Sequence, residues 1–487
     1  MMEDKMRKFF WIGCFLLLLM VTGAASNADG ETGISGESIG NCIGNYIKEG
    51  LENNLALKQE AFSLEKSLQA LKEARGMFFP SVSIEARSSF AGGGRVISFP
   101  VGDLVNPIHH TLNQLLAAQG QPAVFPGNLE NELVPFLREF EHETKLRIVQ
   151  PVFQPAVYYN YRIMSKLKDV REAQLTAFKR QLVLDIRTAY FNYLKTLKVT
   201  ELLKSMRQLL VENLRISESL FNNHKVTEEV VFRSKAELAK LEREAADAEK
   251  GRQVAAAYFN FLLNRPLESE IKVEDNFHSI FPGLFETGSV GLDLKTFEAH
   301  ALRHRDEFRQ MYGAIAAAGD TVNLHKASGL PTINAVLDYG FQGEKYRFTG
   351  KDDYWMASFV MSWNLFKGGQ DHAKKAQAVL EKKRLETQLN ELETNIRLQV
   401  KEAYYGLLAA RKAVEAAKEG LNSWKEAFFI VSKKYEQGMV PQIEHIKAQN
   451  DYTTAAINDI MARYDYYTSE ARLEQASAFY SFGGNNE

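Results

Sequence analysis

Cysteine is nearly absent from this 487-residue chain. Cys14 and Cys42 are its two, so no framework of disulfides holds the fold. Charge of one sign is missing as well. Lys and Arg number 59 against 61 Asp and Glu, a formal net charge of −2, which removes the broad basic field that nucleic-acid binding needs. Low-complexity segments are lacking. So are a phosphate-cradling glycine loop and a nucleophile motif. His109 and His110 are adjacent, a poor geometry for two ligands of one metal, and they read as solvated loop residues. No catalytic, cofactor-binding or metal-binding set emerges, and the chain is not expected to be an enzyme. Its apolar run at 9–21 falls short of the roughly 20 residues that a membrane-spanning helix needs.

That run has another reading. Lys5, Arg7 and Lys8 precede it and the small residues TGAAS follow it, the pattern of a secretory signal peptide over 1–25. Cleavage after Ala25 fits, and Ser26 or Ala28 would also serve. Cys14 lies before the leucine run, which argues against lipidation there. Removal of Cys14 leaves Cys42 as the single thiol, among Ile39, Ile43 and Ile47 at helical spacing, where a buried structural role is expected.

The chain repeats itself. LPTINA from Leu330 echoes FPSVSI from Phe79, with the prolines 251 positions apart. AYYGLL from Ala403 echoes AYFNYL from Ala189, and YEQGMVPQIEHIKAQNDY from Tyr435 echoes FNNHKVTEEVVFRSKAEL from Phe221, both at an offset of 214. Matches in the same order in both halves mark a duplication. The fall in offset assigns roughly 37 extra residues to the first copy, in the Gly-, Pro- and Asn-bearing stretch 92–142, which reads as a long loop.

Each copy has the same expected parts. The first, 26–263, holds a helix near 44–78, a strand at 81–91, the loop, a strand at 143–154, a long helix at 156–222 and a helix at 227–263. A segment at 264–292 follows. The second copy, 293–479, holds a helix near 293–328, strands at 331–343 and 354–366, a long helix at 370–437 and a helix at 441–479, before a tail at 480–487. A helix of about 67 residues spans ~100 Å, and the two shorter helices of a copy laid end to end match it. From the helices alone, a solvated coiled coil is an equal reading.

The strands favour a membrane. Trp355, Ala357, Phe359, Met361, Trp363 and Leu365 alternate with Tyr354, Met356, Ser358, Val360, Ser362 and Asn364, one face apolar and the other mixed and mostly small. Ile333, Ala335, Leu337, Tyr339 and Phe341 likewise oppose Thr332, Asn334, Asp338 and Gly340, with Val336 among them. Val82, Ile84, Ala86 and Phe90 oppose Ser81, Ser83, Glu85, Arg87 and Ser89, and Leu146, Ile148 and Val152 oppose Lys145 and Arg147. All four are about ten residues long, the length of a transmembrane β-strand. Trp355, Trp363 and Tyr339 would sit at the membrane boundary, and Phe359 and Phe341 would face lipid with them. A half-buried sheet on a soluble core is the competing reading. Four strands cannot close a barrel, and open edges are not tolerated in lipid, so closure requires copies. Three chains would supply twelve strands.

These residues resemble the TolC family of outer-membrane efflux ducts over nearly the whole mature chain. ENNLALKQ from Glu52 is similar to the family's amino-terminal helix. FFPSVSI and GLPTINA match its helix-to-strand corners, MSWNLFKGGQ its strand-to-helix corner, and KYEQGMVPQIEHIKAQNDY its helix-turn-helix tip. The resemblance implies an α+β membrane protein, internally duplicated. It would form a trimeric twelve-strand outer-membrane β-barrel, four strands per chain, continuous with a long periplasmic α-helical barrel. Residues 264–292 and the tail would contribute to a girdle around it. It implies an exit duct for efflux or type I secretion, without enzymatic activity or cofactor. Its partners would be a homotrimer's other copies, a periplasmic adaptor, an inner-membrane pump of RND or ABC type, and outer-membrane lipid. A periplasmic coiled-coil adaptor or scaffold is the alternative, although adaptors lack four matched strands in duplicate.

The family resemblance also places the sites. The two tips, Asn223, His224, Lys225, Val226 and Thr227, and Gly438, Met439, Val440 and Pro441, are expected to meet the adaptor. Tyr435, Glu444 and Lys447 are expected at a narrowing of the tunnel, where three copies of Glu444 would form a ring. The first tip departs from the family in carrying His224 where the second has Gly438. Lys447 and Val230 stand where acidic residues are common, so the entrance is either an acidic ring or a set of surface carboxylates paired with lysine. PVFQPA replaces the glycine-bearing corner in the first copy.

Overall fold

The computed structural model describes residues 41–273 and 293–479. The expected signal peptide and tail lie outside them, as does 274–292 of the expected girdle segment. Helix α1 (Asn41–Asn53) and α2 (Leu55–Gly76) lead into β1 (Ser81–Phe90). Then come β2 (Val96–Phe99), α3 (Val101–Ala118), β3 (Glu132–Pro135), β4 (Phe140–Phe153), α4 (Pro155–Asn222) and α5 (Glu228–Leu262). The second copy holds α6 (Leu294–His304), α7 (Asp306–Ala327), β5 (Thr332–Gly343), β6 (Asp353–Ser362), α8 (Gln370–Glu436) and α9 (Gln442–Ser477).

The two long helices run 68 and 67 residues, about 100 Å each. Pro155 opens α4 at a position where its missing N–H costs nothing, and no later Pro or Gly interrupts it. The corner into α8 uses Gly368 and Gly369, both left-handed. The corner into α4 manages without glycine, through a register shift between Pro151 and Phe153 and then Pro155.

The expected single helix at the start of each copy is in fact two, and the break has one cause in both. Asn54 and Arg305, 251 positions apart, share an extended ψ of 126°. The side chain of each donates to the last turn of the returning short helix: Asn54 Nδ2 to the Leu262 carbonyl at 2.8 Å, and Arg305 Nη1 to the Ala476 carbonyl at 3.1 Å. Leu262 and Ala476 are themselves 214 apart. The orphan carbonyls at the helix end are thereby satisfied, and the two short helices are held end to end beside the long one. Asn54 also accepts from Leu57 N at 2.9 Å, capping α2.

Apolar cores follow the rod. Tyr46, Ile186, Tyr190, Phe191, Phe259 and Leu263 cluster where α1, α4 and α5 meet. Phe297, Ile396, Val400 and Leu473 join α6, α8 and α9. Farther down, Leu203, Met206, Leu210 and Leu241 join α4 to α5. Cys42, expected buried, is half-buried against the first cluster.

The stretch 92–142, expected as a long loop, is folded. After the glycines at 92–94, of which Gly93 and Gly94 are left-handed, the β1–β4 hairpin resumes as the β2–β3 ribbon and carries α3 at its end. The first residues of β4, from Phe140, fall inside the expected loop. The apolar spacing of α3 is helical, but Pro107 inside it and the Gly, Pro and Asn on either side give the stretch the composition of a loop. The strand expected at 354–366 ends at Ser362.

Candidate functional site: the four-stranded sheet and the helical tips

The four strands form one antiparallel sheet in the order β1-β4-β5-β6. Its register brings the alternating residues of each strand onto common faces. Ile84 lies opposite Leu146, Leu146 opposite Tyr339, and Tyr339 opposite Trp355, while Ala335 lies opposite Phe359. This face is uncovered, with Phe359 81% exposed. Trp355, Tyr339 and Trp363 are exposed beside it, and Phe341 is half-buried against Tyr339 and Phe348. Trp363 stands just past the strand end and donates its indole N–H to the Gly329 carbonyl at 2.9 Å.

The opposite face is charged and internally paired, a feature the alternation revealed only as "polar". Arg147 grips Asp338 on the neighbouring strand with two bonds, at 2.8 and 2.9 Å, and reaches Glu85 on the other side at 3.1 Å. Lys145 pairs with Glu143 at 3.1 Å, and the Tyr354 hydroxyl donates to Glu143. Asp338 has no exposed surface, so the bidentate arginine is what permits its charge there. Gly340 lies opposite Lys145, and a Cβ at Gly340 would stand 2.6 Å from both Lys145 Cβ and the Thr144 carbonyl oxygen.

At the far end of the rod the duplication holds bond for bond. His224 takes the left-handed conformation at φ 55°, as Gly438 does at φ 72°. Lys225 N bonds to the Leu220 carbonyl and Met439 N to the Lys434 carbonyl, each at 2.9 Å, which is the six-to-one bond of a helix-ending Schellman turn. Thr227 and Pro441 then enter the returning helices with ψ of 157° and 155°. The turn therefore adopts the glycine conformation at His224 despite the absence of glycine. Lys225 and Met439 are exposed, whereas Val226 and Val440 are half-buried.

Of the expected gate residues, Glu444 and Lys447 are both exposed, and no ion pair joins them; the pair at this turn is Lys433–Glu436, at 2.9 Å. Tyr435 turns the other way. Its ring stacks on His445 at 4.7 Å, and His445 Nε2 lies 3.2 Å from Ser432 Oγ. Burial lowers the His445 pKa, with the Glu436 charge opposing, and burial raises that of Tyr435. Sequence reading missed His445 and also a polar knot between the two hairpins. Gln442 Nε2 donates to Ser234 Oγ at 2.7 Å, the Ser217 and Ser234 hydroxyls are 3.0 Å apart, and Asn213 donates to Gln449 at 3.2 Å. Small polar residues at inward helical positions were the available signal.

His109 and His110 do not converge. His109 Nδ1 lies 2.7 Å from the Pro126 carbonyl, and His110 meets Gln114. Among the described residues no group of three or more His, Cys, Asp or Glu could hold a metal ion, and no helix is long and apolar enough to cross a membrane.

Residues 299–478 match the sequence profile of the outer membrane efflux protein family. None of the curated proteins compared with the chain matches it significantly in sequence. Solved structures resemble it over nearly its full length. The outer-membrane channel OprN superposes with a TM-score of 0.72 at 14% identity, covering 90% of this chain and 89% of that one. The CmeC outer membrane channel of Campylobacter jejuni gives 0.71 at 16% identity, covering 93% and 90%. CusC gives 0.73 at 13%, covering 92% and 94%. At these identities the likeness is one of fold.

Proposed function

We propose that the chain, which matches the outer membrane efflux protein profile over residues 299–478 and shares the fold of such channels, is the exit duct of a tripartite export system. Three copies close a twelve-strand barrel in the outer membrane, and their helices continue it as a periplasmic tunnel. The observation that carries this reading is the sheet. One face is apolar and uncovered, the other is charged and paired, and the edges of β1 and β6 have no partner strand among the described residues. An open edge in lipid leaves unsatisfied backbone groups, and pairing β6 of one copy with β1 of the next removes both edges. The helices support the same closure. Helix α8 buries four side chains within the chain where α4 buries sixteen, which leaves Leu380, Leu398, Tyr405 and Phe429 exposed for the neighbouring copies to cover.

In this assembly Trp355, Phe359, Trp363, Tyr339 and Phe341 face lipid, and the ion pairs of Arg147, Lys145, Glu143 and Asp338 line the lumen. The two tips dock on the periplasmic adaptor, through which an inner-membrane pump delivers the cargo. Purified protein tests the reading. It should extract from outer membranes only with detergent, run as a heat-dissociable trimer and conduct ions in planar bilayers. A soluble monomer without conductance would favour the adaptor or scaffold alternative.

A further inference from the structure

The β2–α3–β3 excursion is built with its polar side inward. On α3, Val101, Leu104, Ile108, Leu112 and Leu115 fall within an arc of about 80°, and all are exposed, Leu104 at 66% and Ile108 at 58%. The opposite side of the helix carries Asn106, His109 and Asn113, and these hold the return segment. Asn106 exchanges two bonds with the Leu129 backbone, at 2.8 and 2.9 Å, Asn113 does the same with Phe125, and His109 meets the Pro126 carbonyl. Gly102 lets the two backbones touch, since a Cβ there would lie 2.1 Å from the Leu129 carbonyl oxygen. Between 96 and 129 the chain has a single charged residue, Asp103, where the chain at large is 25% charged. Such a surface needs an apolar cover.

The place of the excursion in the fold identifies the cover. It extends the β1–β4 hairpin at the end of the sheet away from the helices, and β1 is an edge strand. Twelve strands spaced ~4.8 Å and tilted roughly 40° make a ring about 24 Å across. An 18-residue helix is ~27 Å long. Three such helices turned inward from one rim are each longer than the ring is wide, so they meet over the mouth. We propose that the apolar stripes of three α3 helices pack on one another over the mouth, closing it with a hydrophobic outer gate that opens when cargo parts them. The proposal rests on the trimeric barrel.

The test uses full-length protein in outer membranes, with Ile108→Cys in a Cys42→Ser background. Mild oxidation should convert most chains to disulfide-linked dimers that are absent from the Cys42→Ser parent. Leu104→Glu with Ile108→Glu should raise single-channel conductance by about twofold or more by wetting the constriction. Unheated gels report the trimer independently. A normal trimer with no Ile108→Cys dimers and unchanged conductance overturns the gate and leaves the barrel standing. Protection of Ile108→Cys from a water-soluble maleimide in membranes, lost in detergent and without dimers, assigns the stripe to lipid and also overturns the gate. Absence of the trimer from the parent protein overturns the barrel reading itself.

Discussion

Phe359→Arg gives the sharpest test of which sheet face meets lipid. The ten residues of β6 rise ~33 Å along the strand, or about 25 Å along the barrel axis at a tilt near 40°, the height of the apolar band of outer-membrane barrels. Phe359 is the seventh of those ten, so it lies roughly 4 Å from the middle of the band. It is 81% exposed and faces away from the charged network. Arginine near mid-membrane costs about 2–4 kcal/mol per chain, a factor of about 30 to 900 in the folded-to-unfolded ratio. In a trimer all three copies bear it. Ser358→Arg is the control, because Ser358 lies opposite Val336 on the other face, where an arginine meets water and lies one same-face position along β5 from Asp338. Urea titration of heat-dissociable trimers reconstituted in lipid measures both. Phe359→Arg should lower the midpoint markedly or abolish insertion, and Ser358→Arg should do much less. Equal midpoints for Phe359→Arg and wild type would refute the assignment of the apolar face to lipid.

At the tips, Met439→Asp should weaken adaptor pull-down and leave trimers intact, since the Met439 side chain is exposed and only its backbone N–H closes the turn; undiminished pull-down would count against tip docking. In planar bilayers, Glu444→Ala should raise conductance or reduce cation preference and Lys447→Ala should shift selectivity the opposite way, whereas no change from either marks both as surface residues. His445 is held below its ordinary pKa, so the unfolded hairpin takes up a proton first as the pH falls. Stability of the α8–α9 tip should therefore be full above about pH 6.5 and fall below it, read as faster amide exchange there, and His445→Phe should remove the step. Arg305→Ala should destabilise the fold by about 1.5–3 kcal/mol in thermal unfolding, because it strands the Ala476 carbonyl and the Glu307 carboxylate that Arg305 binds; Arg305→Lys should recover only part of that.

Much of this architecture is legible in the sequence because it rests on short-range periods and on duplication. Period-two alternation put Trp355 and Phe359 on the apolar face of one strand, and Tyr339 and Ile84 on the apolar faces of two others, since successive strand side chains must point oppositely; the register then joins those faces. The offsets of 251 and 214 recovered both hairpins, and the 214 offset holds for the tip hydrogen bonds themselves. Long helices announced themselves by composition and by the lack of breakers in α4. The helix breaks at Asn54 and Arg305 escaped notice because neither is a breaker by type. Each is held extended by a bond to a carbonyl more than 170 residues away.

What tertiary structure alone decided is partnership. The sequence contains Arg147, Asp338, Lys145 and Glu143 as polar alternates, but only the register of β4 on β5 sets the arginine opposite the aspartate and lets that buried carboxylate keep its charge. His445 is unremarkable as a residue type, and it becomes a buried imidazole under Tyr435 only when α9 folds back on α8. The excursion after β1 has helical spacing in its leucines, yet its polar side finds acceptors only on its own return segment. That contact turns the apolar stripe outward. Periodicity reports which side chains share a face, because local geometry is fixed by the backbone; what the face meets depends on chain that lies far away in sequence.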